Sequence, residues 1–329
     1  MTWTRLGVDE RAVAHSILVT GGSGSFGHAF VRYLLSLKAP TRIAIYSRDE
    51  LKQMEMAAAL GQDSRLRFFL GDVRDEARLR RAMFGVDVVV HAAAQKQVPA
   101  SEYNPTEAIA TNVLGAQNVI EAAIDAGVRK VVALSTDKAC SPSTLYGATK
   151  LCMERLFVAA NSLSGTHGTR FACTRYGNVA KSRGSVVPVW RAAVEAGRPI
   201  EVTDPEATRF HMLQQQAVDL VLLALREMRG GEVFIPLLRS YRLAELADAV
   251  AGATHPRVVV GLRPAEKVHE SLVSEDELRT ARDYGDHIRL LPDIHPWSDE
   301  TLNGGKPLLS EYRSDGRCMT GEELRELVA

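Results

Sequence analysis

Residues 16–27 read Ser16-Ile17-Leu18-Val19-Thr20-Gly21-Gly22-Ser23-Gly24-Ser25-Phe26-Gly27. The first four form a short apolar run that reads as a buried strand. A helical pattern follows at His28–Leu37, and a second strand at Thr41–Tyr46. Gly21, Gly24 and Gly27 stand at the junction in a Gly-x-x-Gly-x-x-Gly spacing. Glycine there permits a tight turn and lets the backbone approach a pyrophosphate at a helix N-terminus. Strand, glycine loop, helix and strand in this order predict a dinucleotide-binding unit rather than a plain strand–helix turn.

The pattern repeats along the chain. Helices are expected at Glu50–Leu60, Glu76–Phe84, Pro105–Ala126 and Tyr146–Asn161, and strands at Leu66–Leu70, Val86–His91, Val128–Ser135 and Thr169–Tyr176. The run Val86–His91 is so apolar that both of its faces must be covered, as in a parallel sheet between helices. The fold class is therefore α/β, a Rossmann-like doubly wound parallel sheet. Beyond about residue 180 the elements shorten and prolines multiply. The expected division is a dinucleotide-binding domain over residues 1–180 and a smaller mixed substrate domain over 181–329. A helix near residues 214–229 is expected to return to the first. The cleft between them is the expected binding site.

The end of the second strand bears on the choice of dinucleotide. An NAD site wants a carboxylate about 20 residues after the glycines, for the ribose 2′-hydroxyl. Ser47 and Arg48 stand there instead. A hydroxyl and a guanidinium suit a 2′-phosphate, which favours NADP over NAD. Asp49 follows at once, and is expected to cap the helix Glu50–Leu60 rather than to meet a ribose.

The stretch Thr136-Asp137-Lys138-Ala139-Cys140-Ser141-Pro142-Ser143-Thr144-Leu145-Tyr146-Gly147-Ala148-Thr149-Lys150 carries the chemistry. Tyr146 and Lys150 share one face if a helix starts here. A cationic ammonium beside a phenol favours the phenolate. A phenolate can take a proton from a sugar hydroxyl while the carbon gives up hydride. Asp137 next to Lys138 sets an acid beside a base, which an elimination of water requires.

Lys+Arg and Asp+Glu both number 40. With no basic excess overall, neither nucleic acid nor an anionic membrane is an expected partner. Cys140, Cys152, Cys173 and Cys318 have no metal-like or redox spacing, so reduced thiols, no metal site and a cytoplasmic location are expected. The first 15 residues are polar and charged, and no apolar run approaches the length of a membrane span.

These residues together resemble the extended short-chain dehydrogenase/reductases over essentially the whole chain. More narrowly they resemble the inverting UDP-N-acetylglucosamine 4,6-dehydratases. The matching stretches are Thr20–Gly27, Tyr46–Gln53, His91–Ala94 with Lys96 and Val98-Pro99, Glu102–Pro105, Thr111-Asn112, Ser135–Lys150, Arg175–Val179, Ser182–Pro188, Thr208–Phe210, and Arg263-Pro264 with Glu266-Lys267 and His269-Glu270. The resemblance implies a UDP-sugar substrate and a homo-oligomer. It implies that Tyr146, aided by Lys150 and Thr136, takes the O4 proton as hydride leaves C4. Lys138 would then take the C5 proton as a neutral amine with a depressed pKa. Asp137, its pKa raised, would protonate the departing C6 hydroxyl, and the hydride would return to C6. For the cofactor it implies Gly21, Gly24, Ser25, Phe26, Gly27, Ser47 and Arg48, Asp72 and Val73 at the adenine, Ala92, Ala93 and Ala94 along its backbone, and Lys96, Tyr146, Lys150, Tyr176, Asn178 and Val179. For the sugar nucleotide it implies Lys96, Asn178, Arg183, Ser185, Val186 and Pro188, with Arg209 and Arg263 on the diphosphate and Glu266 on a ribose hydroxyl.

The chain departs from the family at Gln97, usually His; at Thr144, usually Asn; and at Lys181 and Ala265, usually Gly. These departures leave open the exact sugar and the stereochemical outcome. Two other readings compete: a C4-epimerase, which needs Tyr146 and Lys150 but not Asp137 and Lys138, and a non-catalytic NADP-sensing protein, against which intact Tyr146 and Lys150 argue.

Overall fold

A computed structural model describes residues 15–164, 168–180, 186–292, 304–316 and 318–328. The apolar run at its front is β1 (Ser16–Thr20), buried along its whole length. Its side chains alternate: Leu18 enters one core, while Ile17 and Val19 enter the other. That alternation is the pleat of a strand with helices on both faces. β2 (Arg42–Ser47), β3 (Leu66–Leu70), β4 (Val88–His91), β5 (Lys130–Leu134) and β6 (Arg170–Thr174) join it in the order β3-β2-β1-β4-β5-β6, all parallel. The order reverses between β1 and β4, and ligands bind at the carboxyl ends of strands at such a switch point.

The helices between these strands are α1 (Ser25–Ser36), α2 (Glu50–Leu60), α3 (Glu76–Met83), α4 (Val98–Tyr103), α5 (Pro105–Ile109), α6 (Gly115–Asp125) and α7 (Leu145–Ser164). α1 begins three residues before the expected start at His28, because Gly24 takes the extended N-cap conformation. The long helix expected at Pro105–Ala126 is α5 and α6 joined through a π-turn at Ala110–Leu114. α3, α6 and α7 bury Leu79, Val119 and Phe157 on one face of the sheet. α1 buries Phe30 and Leu34 on the other. Side chains of this size stabilise the fold by about 1.5–3 kcal/mol each when fully buried.

After β7 (Asn178–Val179) come α8 (Val186–Glu195), β8 (Ile200–Val202), β9 (Thr208–Met212) and α9 (Gln214–Glu227). α9 packs against α1 on the face of the sheet that Ile17 and Val19 enter. The chain then re-enters the main sheet. β10 (Val233–Pro236) pairs parallel with β6. Following β11 (Arg239–Arg242), α10 (Leu243–Ala251), β12 (Arg257–Val259) and β13 (Ser271–Val273), an antiparallel extension is added by β14 (Ala281–Asp283), β15 (His287–Leu290) and β16 (Lys306–Pro307). β17 (Tyr312–Arg313) and α11 (Gly321–Val328) complete the described elements. Three small sheets, β11-β9-β7, β12-β8 and β13-β17, build the remainder. A third apolar cluster around Trp190, Ile200, Tyr241, Leu246 and Leu324 supports it.

Candidate active site

β5 ends at Leu134, and the chain turns at the carboxyl edge of the sheet into a 3-10 turn over Asp137–Ala139. The turn is anchored on both sides. Ser135 N donates to Thr174 O at 2.6 Å, and Asp137 N donates to Tyr176 O at 3.0 Å. The Thr136 hydroxyl caps the turn by accepting from Lys138 N at 3.4 Å. Asp137 points inward and is 1% exposed, whereas Lys138 reaches the cavity wall. The Lys138 Nζ lies 3.1 Å from Asp137 Oδ1 and 3.1 Å from Glu270 Oε1. α7 packs directly on this turn: a Cβ on Gly147 would lie 2.2 Å from the Lys138 carbonyl oxygen. Thr144 Oγ1 accepts from Gly147 N at 3.1 Å at the start of α7. An asparagine would do the same, so this departure keeps the cap.

Tyr146 and Lys150 are buried and line the same cavity, one helical turn apart. Their expected ion–phenol contact is replaced by other partners. Lys150 Nζ donates to Leu134 O at 2.7 Å and lies 2.8 Å from Met153 Sδ. Burial pulls the Lys150 ammonium down to about 8. Burial likewise pushes the Tyr146 phenol up to about 12, opposed by the Lys138 charge and the Thr136 hydroxyl and reinforced by Asp137. Tyr146 is therefore not depressed, and its nearby cation is Lys138. The expected depression of Lys138 is also overturned. Burial lowers it, but two carboxylates, Asp137 and then Glu270, more than reverse that and hold it charged. Behind the site His91 is neutral, lowered to about 3 by burial and by Lys150.

The cofactor candidates converge on one cavity of about 1900 Å³. That exceeds the roughly 300–1,000 Å³ of a single small-molecule site and has room for two large ligands. Gly21, with φ +65°, turns the chain so that a Cβ would meet Ala93 N at 2.7 Å. The N-terminus of α1 has no side-chain cap and no acidic residue in its first turn, which leaves its amide groups to an anion. Gly24, Ser25, Phe26 and Gly27 line that end of the cavity. Ser47, Arg48, Asp72 and Val73 line a second part, and Ala92, Ala93, Ala94 and Lys96 a third. Ser47 Oγ accepts from Ser23 Oγ at 2.9 Å and from Gln53 Nε2 at 3.0 Å. Asp49 accepts from Lys52 N at 3.0 Å, the expected cap, and its carboxylate also pairs with Lys52 Nζ. Arg48 is mostly exposed and lies 3.6 Å from Asp72. These groups fit a dinucleotide laid from β1 to β3.

Tyr176, Asn178 and Val179 line the same cavity. Val186 and Pro188 of α8, with Arg209, Arg263 and Glu266, line it as well. Arg183 and Ser185, and the departure at Lys181, lie outside the described residues. Arg209 is already engaged. Its Nη1 donates to Thr208 O and Val268 O, and its Nη2 to Glu266 Oε1 at 2.7 Å. Glu266 also accepts from Arg263 N at 3.1 Å. Ala265 adopts φ +60°, the left-handed conformation that glycine takes without strain.

Residues 17–292 match the family described as polysaccharide biosynthesis protein. The chain belongs to that family. The chain is similar to the UDP-N-acetylglucosamine 4,6-dehydratase (inverting) of Campylobacter jejuni, 48% identical over 280 residues, covering 85% of this chain and 83% of its own. The UDP-glucose 4-epimerase of Rickettsia canadensis is 41% identical over 332 residues, covering 96% of each. The solved structure of Pen from Bacillus thuringiensis superposes with a TM-score of 0.88 at 35% identity, covering 95% of this chain and 98% of that one. DesIV, a dTDP-glucose 4,6-dehydratase from Streptomyces venezuelae solved with NAD bound, gives 0.69 at 26% identity, covering 77% and 86%. The resemblance and the α/β fold class read from the sequence are both borne out.

For this member of the polysaccharide biosynthesis family, some residues of the site were missed in the sequence. Glu270 belonged to a matching stretch, but nothing in its spacing ties it to Lys138. Asn112, at the π-turn, holds Gln95 through both main-chain groups and donates to Thr149 of α7 at 3.0 Å. A π-turn of this kind frequently marks a functional position. Among the described residues no cluster suited to a metal is found, and no helix is long and apolar enough to cross a membrane. The four cysteines are free; burial pushes the Cys140 thiol up to about 12.

Proposed function

We propose that this chain is a lyase, an NADP-dependent nucleotide-sugar 4,6-dehydratase that converts UDP-N-acetylglucosamine to the C5-inverted 4-keto-6-deoxy sugar. The observation that carries the reading is an acid–base pair beside the Tyr146 phenol: Lys138 lines the cavity, and its Nζ lies 3.1 Å from Oδ1 of Asp137, buried behind it. When bound, the nicotinamide supplies the hydride acceptor for C4 and the hydride donor for C6. Tyr146 takes the O4 proton; Lys138 and the Thr136 hydroxyl favour its phenolate. One proton shared by Asp137 and Lys138 serves the elimination. With it on Asp137, Lys138 is a neutral base for the C5 proton and Asp137 an acid for the leaving hydroxyl. Loss of one water returns both to their charged forms.

Support for NADP comes from Arg48 and Ser47 at the end of β2, and from Asp49 being engaged at the α2 cap. The division of labour assigns residues 1–180 mainly to the dinucleotide and 181–329 mainly to the sugar nucleotide, with α9 serving the first. A cytoplasmic homo-oligomer completes the proposal, and sedimentation tests the assembly. The Rickettsia relatives favour a second reading, a C4-epimerase, which uses Tyr146 and Lys150 and loses no water. Incubation with UDP-N-acetylglucosamine in deuterated water, followed by NMR and mass spectrometry, separates the two. Loss of one water with deuterium at an inverted C5 supports the dehydratase. The galacto isomer without water loss refutes it in favour of the epimerase.

A further inference from the structure

Glu270 lies just before β13, the strand that packs against the Asp137–Ala139 turn. Its main chain is pinned by Ser314: Glu270 N donates to Ser314 Oγ at 2.9 Å, and Ser314 N donates to Glu270 O at 2.8 Å. Ser314 Oγ in turn meets Thr208 Oγ1 at 2.7 Å. The Glu270 side chain, 3% exposed, thereby sets Oε1 3.1 Å from Lys138 Nζ. Its other oxygen, like Asp137 Oδ2, is buried and takes no hydrogen bond from a described group. A buried carboxylate oxygen left unsatisfied is expensive and calls for a reason. Two such carboxylates converge on one ammonium, whereas a structural ion pair needs only one.

We propose that Glu270 is a positioning residue of the elimination: it holds Lys138 at the cavity wall and balances its charge, so that Asp137 is free to carry the proton for the leaving hydroxyl. The proposal rests on the dehydratase reading. In the productive state Lys138 is neutral, Asp137 is protonated and Glu270 is ionised. The C5–H bond breaks, its proton forms an N–H bond on Lys138, and its electron pair becomes the C5–C6 double bond. The C6–O bond breaks, and the oxygen takes the Asp137 proton and leaves as water. The step ends with Lys138 positive and both carboxylates negative, needing no oxidant or reductant. Positive charge thus appears on the atom that Glu270 faces.

The other groups around this cluster are Tyr146 from α7, Tyr241 from β11 with Arg209 of β9 behind it, and His269, which is turned away onto Thr208 at 2.9 Å. Glu270→Gln removes one negative charge and keeps the shape. Every proton in the cluster is then lost at lower pH. Both limbs of the kcat/KM profile for water loss should move to lower pH by about 1–3 units. The kcat should fall by about 10²-fold or more, with KM little changed. Glu270→Asp keeps the charge and should keep both limbs. A nitrogen-15 lysine NMR titration, with the Lys138 signal identified by its loss in Lys138→Arg, gives a readout free of substrate. It should show Lys138 titrating above an ordinary lysine in the wild type, and lower in Glu270→Gln. A wild-type Lys138 that titrates at or below the ordinary value overturns the proposal, as does a Glu270→Gln variant with unmoved limbs. If the wild type releases no water from UDP-N-acetylglucosamine, the dehydratase reading and Glu270's part in an elimination fall together. The titration then still decides whether Glu270 balances Lys138.

Discussion

Replacing Arg175 with methionine removes the centre of the most deeply buried charge network in the site's foundations. Arg175 is 1% exposed, just past the end of β6. Its Nε and Nη2 donate to the Glu154 carboxylate at 3.0 and 2.6 Å, its Nη1 and Nη2 to Glu277 at 2.8 Å each, and its Nη1 to Leu272 O at 3.0 Å. Methionine fills much of the volume but leaves Glu154, 2% exposed, and Glu277, 11% exposed, without their cation. Breaking a buried pair by removing one partner costs about 3–5 kcal/mol. Against a net stability of about 5–15 kcal/mol, that is a large fraction. Urea unfolding followed by circular dichroism should show the midpoint fall at unchanged m-value. Adding Glu154→Gln and Glu277→Gln to Arg175→Met should recover at least half of the loss, because the stranded charges are then gone. A loss below about 1 kcal/mol, or no recovery in the triple variant, would refute the reasoning and mean that both carboxylates reach other partners.

Lys138→Ala should abolish water loss while leaving C4 oxidation measurable as reduced-cofactor absorbance; full turnover would remove Lys138 from the mechanism. Arg48→Ala should weaken NADP far more than NAD in a binding titration, and equal weakening would dismiss the 2′-phosphate assignment. Ala265→Gly should stabilise the fold by about 0.5–1 kcal/mol, since it relieves a left-handed alanine and gives back part of the gain as chain entropy; a lower unfolding midpoint would contradict this. For Glu277, burial opposes ionisation, but the Arg175 guanidinium more than reverses it and lowers the carboxyl below its ordinary value. Its stabilising contribution is therefore full above the unfolded pKa of about 4.3 and fades as pH falls through the folded value. Acid unfolding of Glu277→Gln should accordingly have a shallower pH dependence than the wild type, and identical slopes would remove Glu277 from the acid response.

Local spacing carried most of the fold. The strand–glycine–helix junction at Ser16–Gly27, the apolar runs of β4 and β5, and the Asp49 cap of α2 are all written in residues within a turn or two of one another. Elements of that kind are set by short-range sterics, side-chain periodicity and hydrogen bonding. The neighbouring placement of Tyr146 and Lys150 on one face of α7 was legible for the same reason. Their electrostatics were not. Whether Lys150 touches the phenol depends on the Leu134 carbonyl and the Met153 sulfur competing for its ammonium. Whether Lys138 is held charged depends on Glu270, which arrives from beyond β12 and is pinned by Ser314 near the far end of the chain. Charge interactions act through space and scale with burial, so their sign at a site is fixed only when the whole fold has chosen its neighbours. The sequence by itself determined the six parallel strands β1 to β6, the dinucleotide loop and the family to which the chain belongs, but not β10 or the antiparallel β14–β16 that extend the sheet. The tertiary structure alone decided which carboxylates share the Lys138 ammonium, because residues remote in sequence meet only when the chain folds back onto the carboxyl edge of its own sheet.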